Sequence, residues 1–223
     1  LDLGARRIIV CLGGSATTDG GLGAIRAIRS PARLKAVDFL IACDVTTQFV
    51  DAAVVFGPQK GATASQVRLL TGRLERLVQM YRENYGVDVS KIEGAGAAGG
   101  LAGGLVALGG KLIPGFEMVA DEANLHDRVA QADLVITGEG QIDHTSYDGK
   151  VVGGVIDTAH HFNKPVAAIV GSIDFELVTD DALTRPNPLL AISEIYGREK
   201  AMNEPLWCIE HATLELLRNY VVN

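Results

Sequence analysis

Short apolar runs recur along the chain, and each is followed by glycine or by a polar residue. Several of them are rich in the β-branched residues Val and Ile, and they are short for helices. Runs of this kind, bounded by turn-forming residues, indicate buried strands. The sequence therefore predicts strands at residues 7–12, 39–43, 133–137, 165–170 and 189–193.

The clearest helix is predicted between the second and third of these strands. Apolar residues recur at three- and four-residue intervals from Thr63 to Tyr85 and form one stripe. Thr63 and Gln66 have the spacing of a capping box, and Gly86 is a typical stop signal. Further helices are predicted from Asn124, as a cap, to Ala130, over residues 150–162, and from Pro205 onward.

The order of these elements predicts an α/β fold. Strands and helices alternate after residue 120, which favours a parallel sheet covered by helices. The preceding part contains more glycine and fewer strand–helix units, and it is predicted to form a separate α/β lobe. Within that lobe, residues 87–92 alternate between apolar and polar positions like an exposed strand.

Composition narrows the class of protein. The chain has 223 residues, 48% of them hydrophobic and 21% charged, and it has no apolar run long enough to cross a bilayer and no recognisable signal peptide. Its net charge of −7, with scattered basic residues, argues against nucleic acid as a partner. Cys11, Cys43 and Cys208 have no metal-binding spacing, so we expect small buried side chains in the reducing cytoplasm.

Polar residues follow three of the predicted strands. The segment GGSATTDGG at 13–21 follows the first strand, Asp44 follows the second, and Glu139 and Asp143 follow the third. Because ligands of open α/β sheets bind at the carboxyl ends of strands, this recurrence predicts a binding site there. The carboxylates could hold Mg²⁺ or accept a proton from a substrate hydroxyl.

Two glycine-rich segments allow two interpretations each. FGPQKGAT at 56–63 places Lys60 just before the strong helix, where it could bind phosphate or remain a solvated side chain in a turn. GAGAAGG at 94–100 satisfies G-x-G-x-x-G, with Asp121 or Glu122 as a possible ribose-binding acid. The alternative for this second segment is close packing of backbone against backbone, which only glycine permits.

The motifs together resemble those of the bacterial glycerate kinase type 1 family. The resemblance rests on GGSATTDGG, ACDV at 42–45, FGPQKGA at 56–62, GAGAAGG, and TGEGQID at 137–143 with GK at 149–150. These motifs occur in the family's order, and the match extends from the first residues to at least Gly171. It implies a two-domain architecture with a parallel Rossmann/flavodoxin-like sheet in one domain and a Gly-rich mixed α/β second domain.

The resemblance also implies how the chain divides and where it departs from the family. Residues 1–120 would form the inserted second domain, and residues 121–223 a Rossmann-like portion of the first domain. Family members have an N-terminal segment with a D-S-F-K-G-like motif that is absent from this sequence. In addition, the stretch 23–38 looks shortened, and Thr46-Thr47-Gln48 replaces the usual Asn-Pro-Leu.

The activity implied by the resemblance is ATP-dependent phosphorylation of D-glycerate, with ATP and Mg²⁺ as cofactors. The product would be 2-phosphoglycerate or 3-phosphoglycerate, and the partner would be this small molecule, with no nucleic acid and no membrane. Two other functions remain open: a non-catalytic ligand-binding remnant of the family and a dinucleotide-dependent oxidoreductase.

This interpretation assigns each motif residue a function. The catalytic residues would be Asp44, Lys60 and Asp143, and Asp143 and Asp44 would also be the Mg²⁺ ligands. The substrate- or phosphate-binding residues would be Gly13, Gly14, Ser15, Thr17, Asp19, Gly20, Gly96 and Glu139.

Overall fold

The computed structural model describes residues 1–147, 151–176 and 186–221. The chain divides into two compact units, Leu1–Met118 and Val119–Asn223, which we call unit 1 and unit 2. Gly149 and Lys150, the GK pair of the family resemblance, lie outside the described residues. In the described part of the chain, every helix is too short or too polar to span a bilayer.

Unit 1 contains a three-stranded parallel sheet in the order β1-β2-β3. The strands are β1 (Arg7–Cys11), β2 (Asp38–Ala42) and β3 (Lys111–Ile113). The first two confirm the predicted strands. β1 is at the edge of this sheet, and Cys11 at its end is exposed, so the expectation of a buried thiol is wrong for Cys11. Cys43 is half-buried and Cys208 is buried.

Four helices pack with this sheet in unit 1: α1 (Leu22–Ala27), α2 (Ala52–Phe56), α3 (Ala64–Tyr85) and α4 (Ala97–Ala107). Short 3₁₀ helices occupy Pro31–Ala36, Pro58–Lys60 and Val89–Lys91. Helix α3 confirms the prediction, because the capping box of Thr63 and Gln66 is formed and Gly86 ends the helix at φ 73°.

The predicted strand over residues 87–92 is wrong. The Asp88 side chain accepts hydrogen bonds from the backbone N–H and the hydroxyl of Ser90, which favours a turn, and Val89–Lys91 is a 3₁₀ helix. The short-range hydrogen bonds of Asp88 therefore outweigh the alternating pattern of apolar residues.

The core of unit 1 is built around Phe49, Leu74 and Tyr81, which are all fully buried. The Tyr81 hydroxyl donates a hydrogen bond to the carbonyl of Gly20 at 2.9 Å, which connects α3 to the GGSATTDGG segment. Burial raises the pKa of the Tyr81 hydroxyl far above its usual value, so it remains a neutral donor. The longest helix thus anchors the end of the glycine-rich loop.

Unit 2 has a second parallel sheet, in the order β4-β6-β8, with a separate pair β5-β7. Its strands are β4 (Val135–Thr137), β5 (Gln141–Ile142), β6 (Val166–Val170), β7 (Ser172–Ile173) and β8 (Leu189–Ala191). β4, β6 and β8 confirm three predicted strands. Their parallel pairing confirms the sheet type expected from alternating strands and helices.

The described chain continues with six helices, of which those beginning at Leu125, Val151 and Pro205 confirm the predicted helices, whereas the other three were not predicted. The six are α5 (Gly115–Glu122), which contains the unit boundary, α6 (Leu125–Gln131), α7 (Val151–His161), α8 (Ile192–Tyr196), α9 (Arg198–Asn203) and α10 (Pro205–Val221). Asn124 precedes α6 in the left-handed conformation at φ 51°, and its side chain makes no capping hydrogen bond. The predicted capping function of Asn124 is therefore wrong, although the helix forms.

Candidate functional site

A cavity of about 490 Å³ lies at the carboxyl ends of β1 and β2 in unit 1. It is lined by residues from three of the predicted segments, among them Gly13, Gly14, Ser15, Cys43, Asp44 and Lys60. Because β1 and β2 are parallel neighbours, the segments that follow them emerge at the same edge of the sheet. The topology therefore explains why residues about 30 positions apart meet in one cavity.

Lys60 connects the two glycine-rich loops of this cavity. Its Nζ donates to Ser15 Oγ at 2.8 Å and to the carbonyl oxygen of Thr17 at 2.7 Å. The side chain ends a short 3₁₀ helix, and Gly61 at φ 85° reverses the chain before α3 begins. An ammonium has three protons, so these two contacts leave one donor for a ligand.

The environment of Lys60 also changes its acidity. The side chain is half-buried, and burial lowers the pKa of its ammonium below the usual value for lysine. Lys60 thus places a concentrated positive charge against the cavity.

Asp44 contributes the carboxylate of the cavity. Its Oδ1 accepts a hydrogen bond of 2.7 Å from the backbone N–H of Gly115, at the first residue of α5. A Cβ at position 115 would lie 2.7 Å from Asp44 Oδ2, so a larger residue there would displace the carboxylate. The carboxylate is therefore held in place while its side chain remains exposed to a ligand.

Cys43 lines the same cavity beside Asp44. Its thiol donates to the carbonyl of Val45 at 3.3 Å, and burial raises the pKa of the thiol. A neutral thiol that is already hydrogen-bonded is a poor nucleophile. Cys43 therefore supports the loop that carries Asp44.

Three residues that were predicted to bind a ligand do not line the cavity. In this structure they form hydrogen bonds with the backbone or pack closely against neighbouring residues. The Asp19 carboxylate accepts hydrogen bonds of 3.0 Å from the N–H groups of Gly21 and Gly23, at the start of α1. Gly20 is buried, and a Cβ there would lie 2.6 Å from Leu77. The N–H of Gly96 donates to the carbonyl of Thr47. Short-range capping and close packing therefore account for these residues in the structure, and their binding of a ligand stays a prediction.

The GAGAAGG segment packs closely against the GGSATTDGG loop. A Cβ at Gly99 would lie 2.0 Å from the carbonyl oxygen of Thr17, and residues 98–100 adopt left-handed conformations within α4. The segment follows a 3₁₀ helix, whereas a dinucleotide fingerprint follows a strand. The structure therefore supports the close-packing interpretation of these glycines.

Glu139 and Asp143 both belong to unit 2, after β4. Glu139 Oε1 is buried without a hydrogen-bond partner, while the backbone N–H of Asp143 donates to Ser146 Oγ at 3.0 Å. In residues 1–147, 151–176 and 186–221, no three His, Cys, Asp or Glu side chains are grouped closely enough to hold a metal ion by themselves. The predicted residues thus divide between the units, with Asp44, Lys60 and the glycine loop in unit 1.

The structure adds residues that the sequence analysis did not single out. Phe56, Gln59 and Ala98 line the cavity of Asp44 and Lys60, and Ala98 has the strained left-handed conformation at φ 52°. Ser193, just after β8, has a buried hydroxyl without a hydrogen-bond partner. Phe56 and Gln59 belong to the FGPQKGA motif and could have been inferred from it. Ala98 belongs to the GAGAAGG motif, whereas Ser193 gave no signal in the sequence.

The fold and cavity define a class: two-unit α/β proteins with a small-molecule site at the carboxyl ends of parallel strands. Comparison with known proteins identifies the family within this class. Residues 1–31 and 29–219 match the model of the glycerate kinase family. The chain belongs to the glycerate kinase family. This confirms the resemblance seen in the motifs.

Individual relatives agree with this assignment. The chain is 40% identical to a glycerate kinase of Halalkalibacterium halodurans, over 95% of this chain and 64% of that protein. It is 37% identical to a glycerate 2-kinase of Escherichia coli K12, over 81% of this chain and 55% of that protein. The chain thus spans less than two thirds of the length of these relatives.

A solved structure supports the fold. A Salmonella typhimurium LT2 protein, assigned as glycerate kinase 2, matches with a TM-score of 0.68 and 33% identity, over 98% of this chain and 67% of that chain. The alignment with the H. halodurans protein covers 246 residues, more than the 223 of this chain, so that relative has additional residues inside the matched region. The two segments that match the family model meet at residues 29–31. These residues lie within the stretch 23–38, which looks shortened relative to the family.

Proposed function

We propose that this protein phosphorylates D-glycerate with ATP. The observation that carries the proposal is the cavity in which Lys60, held by Ser15 and Thr17, lines the same space as the Asp44 carboxylate. Membership of the glycerate kinase family and relatives named as glycerate kinases support the choice of substrate and reaction.

The cavity has the groups that phosphoryl transfer requires. This reaction needs positioning of its two reacting groups and stabilisation of charge on the transferring phosphoryl group, but little covalent work from the protein. The Lys60 ammonium would neutralise charge on the phosphoryl oxygens, and the Gly13 and Gly14 backbone would allow close approach. Asp44 would accept a hydrogen bond from the attacking hydroxyl and orient it.

Mg²⁺ fits this set of donors. Protein Mg²⁺ sites commonly use one or two carboxylates together with water and phosphate oxygens, so a cage of three acidic residues is not required. Asp44 is an exposed carboxylate in the cavity and would hold the ion. The Mg²⁺-binding function of Asp143 stays a prediction from the sequence. Bound Mg²⁺ would supply charge neutralisation for the phosphate groups.

We further propose the 2-hydroxyl of D-glycerate as the acceptor. The support is the name of the E. coli relative, a glycerate 2-kinase that is 37% identical to this chain. The residues of the cavity do not discriminate between the two hydroxyls, because a single carboxylate such as Asp44 could orient either of them.

A second candidate function is ligand binding without turnover. Lys60 and the Gly13-Gly14 backbone by themselves supply groups that bind an anion, which is the observation that supports this alternative. Oxidoreductase activity with a dinucleotide has less support, because GAGAAGG lacks the preceding strand of the fingerprint.

Phosphorus NMR tests these alternatives directly. The protein is incubated with ATP, Mg²⁺ and D-glycerate, and the phosphorus resonances of the product are recorded. A new resonance of 2-phosphoglycerate supports the proposal, whereas 3-phosphoglycerate would correct the acceptor. Binding of ATP or D-glycerate in calorimetry without any product would instead support the ligand-binding function.

A further inference from the structure

A second cavity, of about 330 Å³, also lies against Lys60 in unit 1. Neighbouring residues of the GGSATTDGG loop line different cavities: Ser15 lines the first, whereas Ala16 and Thr18 line the second. Lys60 lines both. The side chain that binds Ser15 therefore stands between two spaces that different ligands could occupy.

The two cavities differ in charge. The first is lined by the Asp44 carboxylate as well as by Lys60. The second contains Lys60 and Arg73, and among the described residues that line it none carries a carboxylate. In a chain with a net charge of −7, a cavity with two cations and no lining acid favours an anion.

The positive charge of the second cavity comes from its side chains. Helix α3 begins beside it, but the N–H of Gln66 in the first turn already donates to Thr63 Oγ in the capping box. Arg73 is on the third turn of the same helix, and its exposed guanidinium has five donors available for phosphate oxygens. Leu69 and Leu70 form an apolar side of the cavity.

We infer that the second cavity holds the polyphosphate of the nucleotide, with Arg73 as a binding residue, and that the first cavity holds the acceptor. A triphosphate carries several negative charges and matches two cations without an opposing acid. D-glycerate carries one negative charge and a hydroxyl that needs an acceptor, which Asp44 supplies. In the transfer, the bond between the γ-phosphorus and the β,γ-bridging oxygen of ATP would break, leaving ADP in the second cavity, and a new P–O bond would form to the D-glycerate hydroxyl. Asp44 would accept the proton of that hydroxyl, and the Lys60 ammonium would neutralise charge on the transferring phosphoryl group. This inference rests on the proposed kinase function.

Binding measurements on the full chain test the inference. We compare the affinities for ADP, inorganic tripolyphosphate and D-glycerate by calorimetry, with the native chain and with Arg73→Ala and Arg73→Lys. Because a charged hydrogen bond contributes about 1.5–3 kcal/mol, Arg73→Ala is expected to weaken ADP and tripolyphosphate binding about tenfold or more. Arg73→Lys should retain part of the affinity, and D-glycerate affinity should change less than about twofold.

Arg68→Ala is the matched control, because Arg68 is exposed on the same helix and lines neither cavity. It removes the same charge and should leave all three affinities nearly unchanged. A second variant, Ala16→Leu, places bulk into the second cavity and should weaken ADP binding more than D-glycerate binding. Circular dichroism of each variant shows that it is folded.

The outcomes separate this inference from the kinase proposal. Three results would overturn the inference. They are equal losses of ADP affinity in Arg73→Ala and Arg68→Ala, a loss of D-glycerate affinity alone in Arg73→Ala, and no binding of ADP or tripolyphosphate by the native chain. If the native chain transfers phosphate to D-glycerate while Arg73→Ala leaves ADP affinity intact, only the inference fails. If ADP binding depends on Arg73 but D-glycerate is never phosphorylated, the second cavity is supported and the kinase proposal fails.

Discussion

Lys60 Nζ donates a hydrogen bond of 2.8 Å to Ser15 Oγ, and this contact joins two loops that are 45 residues apart in the sequence. The same ammonium binds the carbonyl of Thr17 at 2.7 Å. Both partners are neutral oxygens, so neither cancels the charge of Lys60. The charge is therefore fixed in position and remains available to an anionic ligand.

The lowered pKa of Lys60 predicts how anion binding depends on pH. Burial lowers the pKa of this ammonium from 10.5, so the proton is lost at a lower pH than in free lysine. The affinity for tripolyphosphate should have its full value at pH values below the lowered pKa of Lys60. It should decline as the pH rises through that pKa, before pH 10.5 is reached. Calorimetry over a pH series measures this decline.

Lys60→Arg is the control for this pH dependence, because arginine remains charged over the whole range. In this variant the alkaline decline should disappear, even if the affinity at neutral pH is lower. An identical decline in Lys60→Arg would mean that another group is responsible.

Asp44→Asn is expected to reduce the turnover of D-glycerate at least a hundredfold, because general base and orienting groups contribute about 10²–10⁴ to rates. The amide retains an oxygen for the N–H of Gly115, so the loop should keep its position. The measurement is the rate of product formation with ATP and Mg²⁺, together with the affinity for D-glycerate.

Asp51→Asn provides the comparison for Asp44→Asn. Asp51 is exposed before α2, and its side chain makes no capping hydrogen bond, so this variant should keep the native rate. Native turnover in Asp44→Asn would remove Asp44 from the mechanism.

Part of the fold and of the site could be predicted from local patterns. The capping box and apolar stripe of α3 depend on residues a few positions apart, and they form as expected. Ser15 and Asp44 line one cavity, as expected from their positions after two neighbouring parallel strands, whereas Lys60 reaches it from a 3₁₀ helix before α3.

Other features depend on contacts that no local pattern encodes. The hydrogen bonds of Asp19 within its own turn could not be distinguished in the sequence from a ligand contact, because both use a carboxylate in a glycine-rich segment. The second cavity was not predicted, because Arg73 lies on a regular helix and becomes relevant only when the loop with Thr18 packs against it.

Gly99→Ala should destabilise unit 1, because the new Cβ would lie 2.0 Å from the carbonyl oxygen of Thr17 and φ is 70°. Left-handed strain alone costs about 1–3 kcal/mol, and the clash adds to it. Since Thr17 also accepts a hydrogen bond from Lys60, anion affinity should fall together with the free energy of unfolding. Urea unfolding and calorimetry measure the two effects.

Gly72→Ala should stabilise unit 1, in contrast to Gly99→Ala. Gly72 is within α3, has open space around its Cβ position and has no left-handed φ. Alanine should raise the free energy of unfolding by about 0.5–1 kcal/mol, the usual difference in helix propensity. If Gly99→Ala and Gly72→Ala had the same free energy of unfolding, the close packing at Gly99 would not be what holds the GGSATTDGG loop.

Ser193→Ala is expected to stabilise unit 2, by about 0.5–1 kcal/mol, although it removes a polar group. The Ser193 hydroxyl is buried without a hydrogen-bond partner, and burying an unpaired hydroxyl costs about 1–3 kcal/mol. Part of that gain is offset by the small void that alanine leaves. Urea unfolding of the full chain, followed by far-UV circular dichroism, gives the change.

Ser146→Ala is the matched control in the same unit. Its hydroxyl is also buried but accepts a hydrogen bond from the N–H of Asp143 at 3.0 Å, so its removal should cost about 1–2 kcal/mol. Equal destabilisation by both variants would show that Ser193 has a stabilising partner. If Ser193→Ala stabilises the protein as expected and also weakens ligand binding, the unpaired hydroxyl is retained for function at the expense of stability.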